Sequence, residues 1–472
     1  MCPQRPSRPG RARQAMRSEP ADEIVERSGA GLLSLRTLRS QLSGTSSLAV
    51  NGGALIINVI ASGLSGFVFW IIAARAVEPA VVARATAMVI TMLAVVSLSQ
   101  QSLTVNIPVL IAGSPRPRLA GKAYVCGVSL TAATALLYVS VGTRLVSGLA
   151  YLRAERLAII FVLGCVVWSI FSLQDAVLTG LRRGRLVLLE NSVWGLARLL
   201  FVLALPLFGL KLQVGWLVAA WLIPASLLVA MISYFLFVFP SSPLRQPLGS
   251  HRLSRRRLVY FLGVEHLASM TGSFVALVVP AVALTSLGAG SAAPMLAAYS
   301  FVAVSENAMG SFAQAFAVEV RRNGHASRNL IALTCILLGG FSFGAIALAQ
   351  LFADDFMSLF GEDYRASGGA VLAILVLGLP ARCMMMLSSA GNRLRGRSWR
   401  NLAQTMIYSV ALFAGLAIAD VETAPALAVC LVVARYVAAA FAIINLRELK
   451  GSRDIRAADG ERVSVPVAAE GH

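Results

Sequence analysis

Long apolar runs alternate with short polar turns along nearly the whole chain. They fall at residues 47–74, 82–110, 119–142, 156–180, 186–209, 213–239, 258–285, 293–318, 328–352, 366–389, 400–419 and 423–445. A helix of about 20 apolar residues crosses the roughly 30 Å hydrocarbon core of a bilayer. A barrel strand would instead alternate over about ten residues. The pattern therefore predicts an all-α polytopic membrane protein with about twelve transmembrane helices. Asn106 and Pro108 are expected to close the second run early, because proline removes a helical N–H.

Two polar tails, residues 1–46 and 446–472, flank the runs. The first carries Arg5, Arg8, Arg11, Arg13 and Arg17, then Glu19, Asp22, Glu23 and Glu26. This composition predicts disorder. Leu32 to Leu42, with Arg36 and Arg39, has the spacing of a short surface helix. No cleavable leader is read here, since the first apolar run lies far from Met1.

Composition agrees with lipid as the solvent. The 472 residues are 57% hydrophobic and 13% charged, against roughly a quarter charged in soluble domains. Mean hydropathy is +0.75. The net charge of +19 is no sign of nucleic acid, because the basic residues sit in turns between spans. Turns after even-numbered spans hold Arg116, Arg118, Lys122; Arg182, Arg183, Arg185; Arg245, Arg252, Arg255, Arg256, Arg257; Arg321, Arg322, Arg328; and Arg393, Arg395, Arg397, Arg400. That is about 18 against about 7 in the other turns, and basic turns stay cytoplasmic. Both termini are expected inside, in the inner (cytoplasmic) membrane. The acidic loop with Asp354, Asp355, Glu362 and Asp363 is expected outside.

The longest turn, residues 241–257, divides the chain into an N-terminal six-helix lobe (47–240) and a C-terminal one (258–445). Arg183-Gly184-Arg185 and Arg395-Gly396-Arg397 recur 212 residues apart at matching turns. Duplicated six-helix halves are a transporter architecture, with a substrate path between them.

Chemistry inside the runs is sparse. Cys126, Cys165, Cys335, Cys383 and Cys430 lie in apolar runs, and no pair with Cys2 or one another has C-x-x-C spacing. Neither a metal nor a disulfide framework is expected. His251, His266, His325 and His472 form no catalytic motif with an aspartate, which disfavours a membrane enzyme. A charge at mid-membrane costs at least about 2.5–3.5 kcal/mol on insertion scales, so each needs a reason. Arg198, Glu306 and Arg435 lie near mid-span. Asp175, Glu265, His266 and Arg382 lie nearer the cytoplasmic end. Guanidinium binds phosphate oxygens bidentately and stays charged. Arg198, Arg382 and Arg435 are thus candidates for an anionic headgroup, or partners for buried acids. Glu306 suits either a coupling ion or an arginine. Glu265 and His266 are candidates for a proton relay, and Asp175 for a coupling ion or proton. Asn51 and Asn58 share one face of the first span, and Gln100, Gln101 and Asn106 lie on the second. These amides suit either sugar hydroxyls or helix–helix contacts.

Two stretches resemble a known family. The first runs from Ser62 to Pro79 (SGLSGFVFWIIAARAVEP). The second joins Gly180-Leu181-Arg182-Arg183-Gly184-Arg185 to Glu190-Asn191 and Trp194-Gly195-Leu196-Ala197-Arg198-Leu199-Leu200. Both are similar to the polysaccharide-flippase branch of the multidrug/oligosaccharidyl-lipid/polysaccharide (MOP) exporter superfamily. Val77 and the segment Val82–Ala87 depart from the usual pattern. The resemblance implies a MATE-like, V-shaped bundle of two six-helix lobes. It implies export of an anionic lipid-linked oligosaccharide by alternating access, without cofactor or covalent chemistry. Expected partners are membrane lipid and polysaccharide polymerase or glycosyltransferases of the same pathway. A cation-coupled small-molecule exporter and a non-transporting scaffold of the same fold remain the alternatives at this point.

Overall fold

The computed structural model describes residues 57–59, 61–112, 117–181, 183–238, 255–323, 328–395 and 397–451. Residues 1–56, with the Leu32–Leu42 stretch and Asn51, residues 239–254 and residues 452–472 lie outside the described residues. Among the described residues there is no strand. Twelve helices are long and apolar enough to cross a membrane.

They are α1 (Ile57–Ala76), α2 (Pro79–Ala112), α3 (Pro117–Leu137), α4 (Glu155–Gly180), α5 (Gly184–Leu207), α6 (Val214–Ser233), α7 (Arg255–Ser286), α8 (Gly288–Asn323), α9 (Arg328–Ser358), α10a (Glu362–Val376) with α10b (Leu379–Leu394), α11 (Ser398–Ile418) and α12 (Ala424–Gly451). The tenth span is broken at Leu377–Gly378, where Pro380 sits at the start of the second segment. Proline is tolerated in the first turn of a helix, so the break falls just before it. The second helix does not stop at Asn106 or Pro108 but continues to Ala112. In lipid the freed backbone groups find partners within the bundle. The last helix likewise extends past residue 445, to Gly451. The seventh starts at Arg255, inside the basic turn.

Many outward side chains are large and apolar. Leu163, Leu189, Leu196, Leu200, Ile336 and Leu351 are each more than half exposed. No aqueous surface tolerates so much contiguous apolar area; this is a multi-pass membrane protein. Inside, some serine hydroxyls are satisfied by their own helices. Ser99 donates to the Val95 carbonyl at 2.8 Å and Ser342 to that of Leu338 at 2.7 Å.

Within the first six helices, α4 packs on α2, α3 and α6, and α5 packs on α6. Within the second six, α8 packs on α10a and α10b, α9 on α10a, and α12 on α10a, α10b and α11. The two sets meet where α2 lies along α7 and α8. Ser102 Oγ and His266 Nδ1 stand 3.1 Å apart across that seam, and Ser273 donates to Ser97 at 2.8 Å. Helix α1 also crosses it. Phe67 stacks on Phe356 and meets Phe301 and Phe360 edge-on. Arg75 donates to the carbonyls of Leu359 (2.7 Å) and Ser358 (3.1 Å) at the end of α9.

The two halves repeat one detail of backbone. The Arg183 amide donates to the Leu178 carbonyl at 2.8 Å, and the Arg397 amide to the Asn392 carbonyl at 2.8 Å. Leu181 and Arg395 share the bridge conformation (ψ 5° and 2°), and Arg183 and Arg397 share ψ of 40° and 46°. The turns therefore superpose at a displacement of 214, carrying Arg183 onto Arg397. The Arg-Gly-Arg triplets, displaced by 212, are two residues out of that register.

Candidate functional site

Three polar groups occupy the apolar interior, and each sits on helices the sequence left unpaired. The first is on α8, α10b and α12. Glu306 accepts from Arg382 Nε at 3.1 Å and pairs through its other oxygen with Arg435 Nη2. Arg435 is 4% exposed and the Glu306 side chain 13%, while Arg382 is one-third exposed. Arg435 lies against the break in the tenth span, where a side chain at Gly378 would meet its Cδ and Nη1 at 2.9 Å. Tyr299 and Tyr408 flank it. Glu306 is thus an arginine partner rather than an open ion site. Two guanidiniums share its single charge.

The second group surrounds Arg198 on α5, which is fully buried. Its Nη2 donates to the Ser62 carbonyl (3.1 Å) and to Ser65 Oγ (2.8 Å) on α1. The guanidinium lies 3.8 Å from the ring centre of Trp194 and 4.8 Å from that of Trp221. The Trp194 indole is itself fixed by donating to the Trp221 carbonyl at 3.0 Å. Cation–π attraction is strongest when the pair is desolvated, as here. Nε and Nη1 have no partner, and among the described residues no carboxylate pairs with this arginine. The two tryptophans and the two serines were not singled out from sequence. A tryptophan four residues before a buried arginine on one helix face was the available signal.

Helix α1 lies between these groups. A side chain at Gly66 would press on Arg198 Nη2 at 3.1 Å, and one at Gly63 would strike Val304 on α8. Small residues let three helices converge there.

The third group lies at the basic turns that follow the even-numbered spans. Glu265 on α7 accepts from Asn401 at 3.1 Å and pairs with Arg393 at 3.4 Å. His266 turns instead to Ser102 on α2. The neighbours Glu265 and His266 therefore face different partners and do not form the expected relay. Asp175 accepts from Asn191 Nδ2 at 3.3 and 3.2 Å, beside Glu190, an acid that sequence reading passed over as part of the turn.

Of the amides, Gln100 joins two helices, while Gln101, Asn106 and Asn58 bond within their own. Gln100 exchanges hydrogen bonds with Ser169 on α4 (2.9 and 2.7 Å), Gln101 accepts from Ser97, and Asn106 donates to its own helix. Asn58 accepts from Ser62 Oγ at 3.4 Å, next to the Arg198 contacts.

No family model and no curated protein matches the chain. Solved structures do. An inward-facing multidrug-resistance MATE transporter of the MOP superfamily superposes with a TM-score of 0.59 at 15% identity, over 85% of this chain and 96% of that one. The fold is that of a MATE transporter. An outward-facing MATE structure gives a TM-score of 0.54 at 14% identity, covering 86% and 96%. A MOP superfamily transporter from Pyrococcus furiosus Vc1, described as having a binding pocket of reverse polarity, gives 0.56 at 14% identity, covering 86% and 96%. Helices α1, α2, α7 and α8 meet at the seam between the two sets of six helices. Arg198 touches the first of them, and Glu306 sits on the last.

Proposed function

We propose that this chain is a transporter that exports an anionic lipid-linked oligosaccharide or polysaccharide precursor across the cytoplasmic membrane by alternating access. The observation that carries this reading is the charge balance of the interior. Arg382 and Arg435 share one carboxylate, Glu306, and among the described residues Arg198 pairs with none. A low-dielectric interior with surplus guanidinium favours a phosphate or pyrophosphate headgroup, which takes two parallel N–H donors from one arginine. A cationic drug held between these arginine groups would need an unengaged carboxylate there, and Glu306 is held by two arginines. The stretches resembling polysaccharide flippases support the same direction.

In this reading the lipid tail stays in the bilayer while the headgroup follows the seam between lobes. Both termini face the cytoplasm, and enzymes that build or polymerise the glycan act on either side. Arg198→Ala and Arg435→Ala are the test. Each is expected to cut surface polysaccharide at least tenfold at unchanged protein level, which corresponds to about 1.4 kcal/mol or more of lost cargo binding. Full export by both variants would overturn the headgroup assignment.

A further inference from the structure

We propose that Asp175 and Glu190 form a buried carboxyl–carboxylate pair that binds one exchangeable proton, a site present in the N-terminal lobe only. Glu190 on α5 is 3% exposed, and both its oxygens lack a hydrogen-bond partner. It lies within electrostatic reach of Asp175 on α4. An ionised carboxylate with two orphan oxygens in an apolar interior is strongly disfavoured. Two such acids side by side cannot both ionise and titrate as a unit. One proton held by the pair removes one of the two buried charges. It comes from bulk water and returns to it, so no further reactant enters.

The C-terminal lobe supplies an independent control. The register set by the turns, 214 residues, carries Asp175 onto Ser389 and Glu190 onto Gln404. There Gln404 Nε2 donates to Ser389 Oγ at 3.3 Å and to the Met385 carbonyl at 3.1 Å. The same two places hold a neutral, hydrogen-bonded pair in one lobe and two acids in the other. The fold does not require carboxyls here. What the acids add over the neutral pair is a place for a proton.

The surroundings favour a proton over a metal ion. Asn191 turns its N–H₂ toward both Asp175 oxygens, whereas a cation would require oxygen lone pairs pointing inward. Among the described residues no three acid, histidine or cysteine side chains gather to hold a metal. The Tyr124 hydroxyl on α3 is buried without a partner near both acids. The one charged residue of α2 is Arg84, near its opposite end, and α6 carries none. Lys122, Arg183 and Arg185 are exposed, and none forms an ion pair with either acid.

The transport reading gives this proton a purpose, but the test does not depend on it. The purified wild-type protein in nanodiscs is titrated while the C=O stretch of protonated carboxyl is followed by infrared difference spectroscopy. Wild type is expected to show a carboxyl band that vanishes as pH rises. Glu190→Gln should remove it. Asp175→Ser combined with Glu190→Gln, which rebuilds the neutral pair of the other lobe, should remove it while leaving thermal unfolding unchanged. A band that survives in both variants would overturn the proposal. A band displaced at fixed pH by sodium chloride, but not by potassium chloride, would overturn it in favour of a metal cation. Neither result touches the anionic-cargo reading, whose own test uses the arginines.

Discussion

Glu306 holds two guanidiniums at once, and that makes it the most sensitive single residue in the C-terminal lobe. Removing one partner of a buried pair costs about 3–5 kcal/mol, because the other charge is stranded. Glu306→Gln should therefore lower the unfolding midpoint sharply, whereas Glu306→Gln combined with Arg435→Met should recover much of the loss. A double-mutant cycle on thermal unfolding in detergent checks this; simple additivity of the two changes would refute the pairing. The charged residues themselves were legible in sequence, since an arginine or glutamate stands out in an apolar run. Their pairing was not. Glu306 meets Arg382 and Arg435 from helices far along the chain, and nothing in a linear pattern states which faces will meet. Glu190 was missed for the opposite reason. It lies one turn past Arg185, where a charge reads as part of the membrane edge, and only the packing of α4 against α5 buries it.

The helices themselves were legible because the bilayer permits so few alternatives. Every backbone polar group must bond within its own span, so length and hydropathy decide the elements. What escaped was the fine structure: the break before Pro380, and the continuation of α2 through Pro108. The latter has a packing consequence. Gly180 at the end of α4 sits against Pro108, where a Cβ would meet its Cα and carbonyl oxygen at 2.9 Å. Backbone cannot move aside as a side-chain tip can, so Gly180→Ala should destabilise by about 1–3 kcal/mol. Gly344→Ala, with nothing within 4 Å, should be neutral or slightly stabilising in a helix. Thermal unfolding of the two variants side by side tests the contact; equal behaviour would contradict it. The repeated turn belongs at this scale too. A shared Arg-Gly-Arg signalled duplication, yet the hydrogen-bond pattern places the true correspondence two residues away. Short basic turns look alike under positive-inside pressure, and only backbone geometry separates that resemblance from homology of position.

For the whole molecule, two sets of six helices meet along α1, α2, α7 and α8, and the two polar groups flanking α1 hold three arginines, Arg198, Arg382 and Arg435, against one carboxylate, Glu306. Alternating access needs a defined orientation, and the basic turns set it. Single cysteines placed at Arg185 and at Asp363, in a background lacking the native cysteines, should label with a membrane-impermeant maleimide from opposite sides of intact cells. Only the Asp363 position should react from outside; the reverse would invert the proposed direction of export. The central claim concerns the cargo's charge, and it is tested most directly by reconstitution. Purified protein in liposomes would be given two fluorescent polyprenyl-linked glycans that differ only in the linkage, one pyrophosphate and one uncharged ether, and leaflet exchange would be read by dithionite quenching. The account predicts fast exchange of the pyrophosphate lipid, loss of most of that rate in Arg198→Ala, and little exchange of the neutral lipid by either protein. Equal exchange of both lipids, unaffected by Arg198→Ala, would contradict it.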